Sequence, residues 1–451
     1  MSGFKNLFAV LSTLIISLSL PAQYSRDSLT DKADTLLSDA INKGIFSGVV
    51  VITRDGKEIY KKEAGYADWR TQKAISDSTL YNIGSIGKQF TEEMIRQLAK
   101  EGRLAYDSPL SKYLSLFPPE TGNKITIQQL LDMRSGLGDY FGSPEFRRIE
   151  QTDFSLNDLL NIIKNQPLLF EPGTGQQYSN SGYAVLGAVI EKVTGKSYEE
   201  NLHERIAVPL KLTDIYYTRA EKAAKANRAF GYMIDFEGNK ITTDDISNSQ
   251  PAGGVYTNVH DLLIFTEAKG NNLLPSGYRY RLPGTFAGGT PQWNAVISFG
   301  NNGVDYVVMC NMGESAVQIA QRIGAILKGG SYPPFSYPFV VTLYKIIQEK
   351  GTDYIRQNIR ALCAQDRKPY DDHFLNFYGY QFLQKGKTDI AIALFAINVT
   401  LFPDTANVYD SLAEAYLMNG DKENARKNYA KVLELDPANI KVKNILKKLG
   451  D

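Results

Sequence analysis

A hydroxyl and an amine stand three residues apart in Tyr81-Asn82-Ile83-Gly84-Ser85-Ile86-Gly87-Lys88, and covalent chemistry could start from that pair. Apolar residues recur after it at Ile86, Phe90, Met94, Ile95 and Leu98, the spacing of a helix that Gly102 stops. Ser85 is therefore expected in the first turn. Residues i and i+3 share a helix face, so the Lys88 amine can reach the serine oxygen, and the positive end of the helix dipole favours alkoxide character there. Burial of the turn would lower the lysine pKa and free a neutral amine to accept the serine proton.

A second cluster follows in Phe170-Glu171-Pro172-Gly173-Thr174-Gly175-Gln176-Gln177-Tyr178-Ser179-Asn180-Ser181-Gly182. Its prolines and glycines force a loop, which presents the Tyr178 phenol and the Asn180 amide ahead of a helix starting near Gly182. A phenol close to a lysine amine is expected to lose its proton more readily, so Tyr178 could take the serine proton during attack and return it to the leaving group. Asn180 could hold an acyl carbonyl or orient the lysine. A third, glycine-rich stretch, Phe286-Ala287-Gly288-Gly289-Thr290-Pro291, lies late in the chain beside strand-like runs.

The elements that must position these groups are spread over a chain of 451 residues, long enough for two or three domains. The formal net charge of +1 gives no nucleic-acid face and no polybasic membrane anchor. No phosphate-cradling glycine motif and no metal-ligand spacing is present, so neither cofactor nor metal is expected. The three histidines, His203, His260 and His373, lie far apart. His260 reads as a surface or capping residue at a helix start, and His203 as a solvated helical one. Lys5, the apolar run from Leu7 to Leu20 and Pro21-Ala22-Gln23 read as a secretory signal cleaved near Ala22, too short for a membrane span. Cys310 and Cys363 form no disulfide framework; one bridge between them is left open.

In order, the pattern gives a helix over 31–43 and a hairpin of Gly48 to Thr53 with Glu58 to Tyr60 around Asp55-Gly56. A mostly helical stretch runs to about 247, with helices over 127–133, 156–164, 183–193 and 198–206. Strands return at 295–299 and 306–310, before a helix over 314–327. This predicts a sheet built from both ends of one domain, with a helical lobe inserted between. A linker over 331–338 follows. Beyond it, Gly379 and Ala413, Gly386 and Gly420, Ala391 and Ala425, Phe395 and Tyr429, and Pro403 and Pro437 recur at an interval of 34 residues. That period resembles tetratricopeptide repeats, stacked helix pairs, with helices over 340–349, 353–362 and 440–449 completing the stack.

The order Ser85-x-x-Lys88, Tyr178-Ser179-Asn180 and a late glycine-rich strand resembles the class C beta-lactamase, DD-peptidase and family VIII esterase type of serine hydrolase. Further resemblance lies in Ile125 to Leu131 with Ser135-Gly136-Leu137, in Leu186-Gly187 with Glu191 and Gly195, and in Pro251-Ala252-Gly253-Gly254; it covers about 31–328. The resemblance implies an α+β fold, an antiparallel sheet flanked by helices plus a helical lobe, followed here by the all-α repeat domain. The implied division is a signal peptide over 1–23, a hydrolase domain over 24–330, the linker over 331–338 and repeats over 339–451. It implies Ser85 as the acylated nucleophile, with Lys88 and Tyr178 sharing the proton transfers. Asn180, Phe286, Gly288 and Gly289 would line the substrate, the N–H groups of Ser85 and Gly289 forming the oxyanion hole.

The chain departs from the pattern at Phe286, where the family carries Lys or His. A phenyl ring cannot donate the hydrogen bonds that read a substrate carboxylate, so esterase or peptidase-like chemistry is expected over true beta-lactamase activity. Met133 stands where relatives often carry His and is read as packing. The expected function is an exported, periplasmic bacterial serine hydrolase acting on a small-molecule or peptide acyl substrate. The alternative is a catalytically impaired ligand-binding module working through a protein partner on the repeats.

Overall fold

The computed structural model describes residues 26–450 apart from 150–151, 244–247, 282, 291, 314, 336, 366–370 and 438. The expected signal segment lies outside the described residues. Strands β1 (Gly48–Arg54), β2 (Lys57–Ala64), β3 (Gly284–Gly289), β4 (Asn294–Asn301) and β5 (Val304–Cys310) form one antiparallel sheet in the order β2-β1-β5-β4-β3. Asp55 and Gly56 both take positive φ between β1 and β2, as a tight hairpin turn demands. The sheet therefore joins the two ends of the domain, with β3 at an edge and Gly288 opposite Ala295.

Both faces of the sheet are covered, which is why β1 is apolar at successive positions. Val49 and Val51 enter one core with Ile86, Phe90 and Met94, whereas Val50 and Ile52 enter a second with Leu36, Ile319 and Ile323. Helices α1 (Arg26–Asn42), α2 (Gly87–Lys100), α3 (Asn180–Thr194), α4 (Val259–Gly270) and α5 (Ser315–Leu327) supply those faces. The second core lies between the sheet and α1 with α5. The first holds α2, α3 and α4, where Phe90 meets Phe265 edge to face at 4.7 Å.

Several local expectations shift. Ser85 lies in a 3-10 turn, Gly84–Ile86, just ahead of α2. The helix expected over 198–206 stops at Leu202 and gives way to a π turn, His203–Ala207, with His203 exposed. The stretch read as mostly helical contains a hairpin, Gly231–Ile234 with Lys240–Thr243, whose four-residue strands are too short to show a period. Cys310 and Cys363 form no disulfide with each other and lie buried in separate cores.

Residues 331–335 and 337–338 have no regular structure, and the first of these stretches is fastened to α5. Arg322 donates to the carbonyls of Pro333 and Pro334 and stands 4.1 Å from the buried Phe335 ring. Beyond it come Phe339–Gln365, broken at Gly351 where φ is +77°, then Asp372–Gln384, Thr388–Leu401, Ala406–Met418, Lys422–Leu435 and Ile440–Gly450. Two successive helix pairs start 34 residues apart, as the sequence period requires. Gly379 explains its own identity: a Cβ there would stand 2.4 Å from the Phe395 ring.

Candidate active site

Glycines hold the Ser85 turn against the edge strand. Gly84 has φ of +48°, and a Cβ on it would stand 2.2 Å from the Gly289 nitrogen. A Cβ on Gly288 would stand 2.2 Å from the Ile83 oxygen and 2.5 Å from the Ser85 nitrogen. Only residues without a side chain permit this approach of backbone to backbone. Gly253, at φ of +153°, closes on Gly84 from another side. Its neighbour Ala252 turns a carbonyl toward Lys88.

Lys88 is one turn into the helical run and only 2% exposed. Its Nζ lies 2.6 Å from Asn180 Oδ1, 2.7 Å from Ala252 O and 3.0 Å from Ser85 Oγ. Asn180 Nδ2 donates to Asp139 Oδ2 at 2.6 Å, which fixes the amide orientation and leaves Oδ1 for the lysine. Asn180 thus has both ends of its amide engaged. Of the two uses expected for it, these contacts match orienting the lysine. Burial pushes Lys88 down to about 7, with the Asp139 carboxylate opposing that fall.

Tyr178 Oη lies 2.5 Å from Ser85 Oγ, while the Lys88 amine meets the tyrosine across its ring, 4.8 Å from the centroid. The ring stands at the mouth, 48% exposed. Contrary to the expectation of easier proton loss, the phenol is held above its ordinary pKa. Burial is the main cause, the hydrogen bond to Ser85 offsets part of it, and Asp139 adds to the rise. The loop carrying Tyr178 is tied by Gln177 N donating to Met133 O at 3.0 Å; Met133 itself packs against the first core with φ of +57°.

Phe286 is half-buried on the same face of β3 as Gly288, stacked on Phe299 at 6.0 Å. Behind it lies Lys269 of α4, fully buried, 3.2 Å from the Tyr280 ring centroid and 5.2 Å from that of Phe286. Its amine has no hydrogen-bond acceptor among the described residues, and burial lowers it to about 8 against the pull of Glu92 and Glu93. His260 and His203 are both exposed, on elements apart from the serine. Among the described residues no cluster of His, Cys, Asp or Glu could hold a metal ion.

Two polar groups went unassigned in the sequence. Asp139 follows Ser135-Gly136-Leu137-Gly138, and an acid in a glycine-rich turn beside a recognised motif is a usable signal. It also caps its own turn by accepting from Phe141 N at 3.1 Å. Lys269 continues the apolar stripe of Leu262 and Phe265, so its position was legible as buried although its charge was not.

The Beta-lactamase family model matches residues 29–332, and the chain belongs to that family. Esterase EstB of Burkholderia gladioli is 30% identical over 217 residues, covering 45% of this chain and 55% of that protein. Teichoic acid D-alanine hydrolase of Staphylococcus aureus is 30% identical over 239 residues, covering 53% and 57%. The chain thus spans little more than half the length of either relative. Among solved structures, the octameric penicillin-binding protein homologue from Pyrococcus abyssi superimposes with a TM-score of 0.58 at 22% identity over 71% of this chain and 81% of that one. The D-amino acid amidase from Ochrobactrum anthropi gives 0.57 at 20% over 67% and 99%. At such identities the structures establish the fold: a beta-lactamase-type sheet and helical lobe.

Proposed function

We propose that the chain is a serine hydrolase that forms an acyl-serine intermediate at Ser85. One observation carries the reading. A neutral amine has two hydrogens and one lone pair. Lys88 faces two groups that can only accept, Asn180 Oδ1 and Ala252 O, so its hydrogens are committed and its lone pair is left for the proton of Ser85. A pKa of about 7 makes that neutral form abundant near neutrality.

Attack then runs as follows. Lys88 accepts the Ser85 proton while Oγ bonds to the substrate carbonyl carbon. The carbonyl oxygen gains charge between the N–H groups of Ser85 and Gly289, brought together by the Gly84 and Gly288 contacts. Tyr178 remains a phenol, consistent with its raised pKa, and donates to the departing oxygen or nitrogen. Lys88 then returns the proton it took from Ser85 to the Tyr178 oxygen, which leaves the amine neutral and the phenol restored in the acyl-enzyme. Water then releases the acyl group by the reverse transfers. Asn180, braced by Asp139, keeps the lysine aimed.

Phe286 supplies packing at the place of the family's cation or imidazole. Esters and amides that lack a carboxylate are therefore the favoured substrates, in keeping with relatives named an esterase and a teichoic acid D-alanine hydrolase. The apolar run from Leu7 to Leu20 supports export to a bacterial periplasm. No helix among the described residues is long and apolar enough to cross a membrane. The domain division at 331–338 is supported by the irregular described residues there and by the core that starts at Phe339, to which the earlier chain adds Phe236. Steady-state hydrolysis of uncharged p-nitrophenyl esters by the wild type and Lys88→Met tests the reading. A fall of about 1,000-fold in kcat is expected from loss of the base together with its alignment, and equal rates would refute it.

A further inference from the structure

The hairpin Gly231–Ile234 with Lys240–Thr243 touches two things that are otherwise far apart in the chain. Its tip belongs to the helical domain. Phe236 is 2% exposed and is a member of that domain's core, stacked on Phe382 at 4.5 Å and tilted on Tyr344 at 4.8 Å. Beside it Lys385 approaches the buried Asp235 carboxylate at 3.8 Å. The turn itself is stiff, since Asp235 Oδ1 accepts from Glu237 N at 2.9 Å and from Asn239 N at 2.8 Å. A buried aromatic in a fitted pocket, with a desolvated charge beside it, is the pattern of an energetic anchor.

The base of the hairpin belongs to the catalytic domain. Gly231 is wedged so closely that a Cβ would stand 2.6 Å from both the Gln292 side chain and the Trp293 ring. Met233 Sδ accepts from Gln292 Nε2 at 3.3 Å. Tyr232 exchanges backbone hydrogen bonds with the chain after β5, receiving from Gly313 N and donating to Asn311 O. Trp293 in turn fixes the end of β3. Thr290 N donates to Trp293 O at 2.7 Å, and that same oxygen leaves no room for a Cβ on Gly289, which would stand 2.1 Å away. Gly289 is the residue whose N–H faces the Ser85 turn. Because β3 is an edge strand, it has a sheet partner on one side only, and this outer end needs support from elsewhere.

We propose that the helical domain braces the oxyanion-hole end of β3 through this hairpin, with Phe236 as the positioning residue. The inference rests on the reading that Ser85 is acylated with Gly289 N–H as an oxyanion donor. It gives the helical domain a role in catalysis independent of any partner. Loosening the brace lets the Gly289 donor drift from where charge develops, and errors of this kind weaken the transition state more than the bound ground state.

The test uses the full chain. Phe236→Ala and Phe236→Leu are compared with wild type in steady-state hydrolysis of an uncharged p-nitrophenyl ester, with fluorophosphonate labelling of Ser85 in parallel. Phe236→Ala should lower kcat by about tenfold with KM within about twofold, and Phe236→Leu should recover most of the loss. Labelling of Ser85 should slow with kcat. Should Phe236→Ala fail to fold, Phe382→Ala removes the partner ring with the hairpin sequence intact and must show the same split between kcat and KM. A kcat and labelling rate equal to wild type in the folded variants would overturn the brace while leaving the acyl-serine reading in place. Absence of labelling in the wild type itself would remove that reading and the brace with it.

Discussion

Replacing Asp139 by Asn takes one negative charge from behind the Lys88 amine and keeps a carbonyl acceptor for the Asn180 amide. The carboxylate and the amine each sit 2.6 Å from opposite ends of that amide, which places them about 7 Å apart. At an effective dielectric of about 20 the pair interacts by about 2.4 kcal/mol, between one and two pKa units. Asp139 favours the charged lysine, so its loss lowers the Lys88 pKa from about 7 toward about 5.5. A base is active when deprotonated, so the acid limb of kcat/KM should move to lower pH by that amount. At pH 5.5 the fraction of plateau activity should rise by about 16-fold, while the plateau falls because a weaker base accepts the proton. The assay is kcat/KM for an uncharged ester from pH 5 to 9 at constant ionic strength. A limb that stays put or moves upward would refute Lys88 as the titrating base. If Tyr178 were the base, its raised pKa would put the limb well into the alkaline range for both proteins.

Lys269→Met should stabilise the protein at pH 7. Its folded pKa of about 8 lies below the ordinary lysine value of 10.5, so the charged lysine costs stability at every pH below about 8, by up to about 3 kcal/mol, and the cost vanishes above about 10.5. Urea unfolding at pH 7 and pH 10.5 reads this directly, and a loss of stability at pH 7 would contradict it. Gly288→Ala forces a Cβ to 2.2 Å from Ile83 O; kcat/KM should drop by about 100-fold with far-UV circular dichroism retained, and a fully active variant would deny the close approach. Phe286→His restores a donor at the edge strand, so the ratio of kcat/KM for a carboxylate-bearing ester over its neutral methyl ester should rise by about tenfold. An unmoved ratio would show that Phe286 does not set this preference.

The parts of the site that were legible in the sequence are those built by local chain geometry. Ser85 and Lys88 meet because they are three residues apart on one helical run. Tyr178 and Asn180 share a loop whose glycines announce it, and Gly288 and Gly289 are the β3 residues where only glycine fits, the first against the Ser85 turn and the second against Trp293 and Asn294. Repeats with a fixed period were legible for the same reason. What was not legible depends on contacts between distant segments. Asp139 acts on Lys88 through Asn180, Ala252 reaches it across 164 residues, and the rings that Lys269 faces, Tyr280 and Phe286, come from other elements. The acidity of Tyr178 was misjudged because proximity to an amine was weighed without the ring orientation and the burial that oppose it. The Gly231–Thr243 hairpin escaped because four-residue strands carry no periodic signal, and its meaning lies in Phe236 reaching a core more than 100 residues further along the chain.

Intact-mass spectrometry of the wild type and Ser85→Ala after exposure to a fluorophosphonate tests the central claim most directly. The account predicts one covalent equivalent on the wild type, lost in Ser85→Ala and suppressed as the pH falls below about 7, where Lys88 is protonated. No adduct on the wild type, or the same adduct on both proteins, would contradict it.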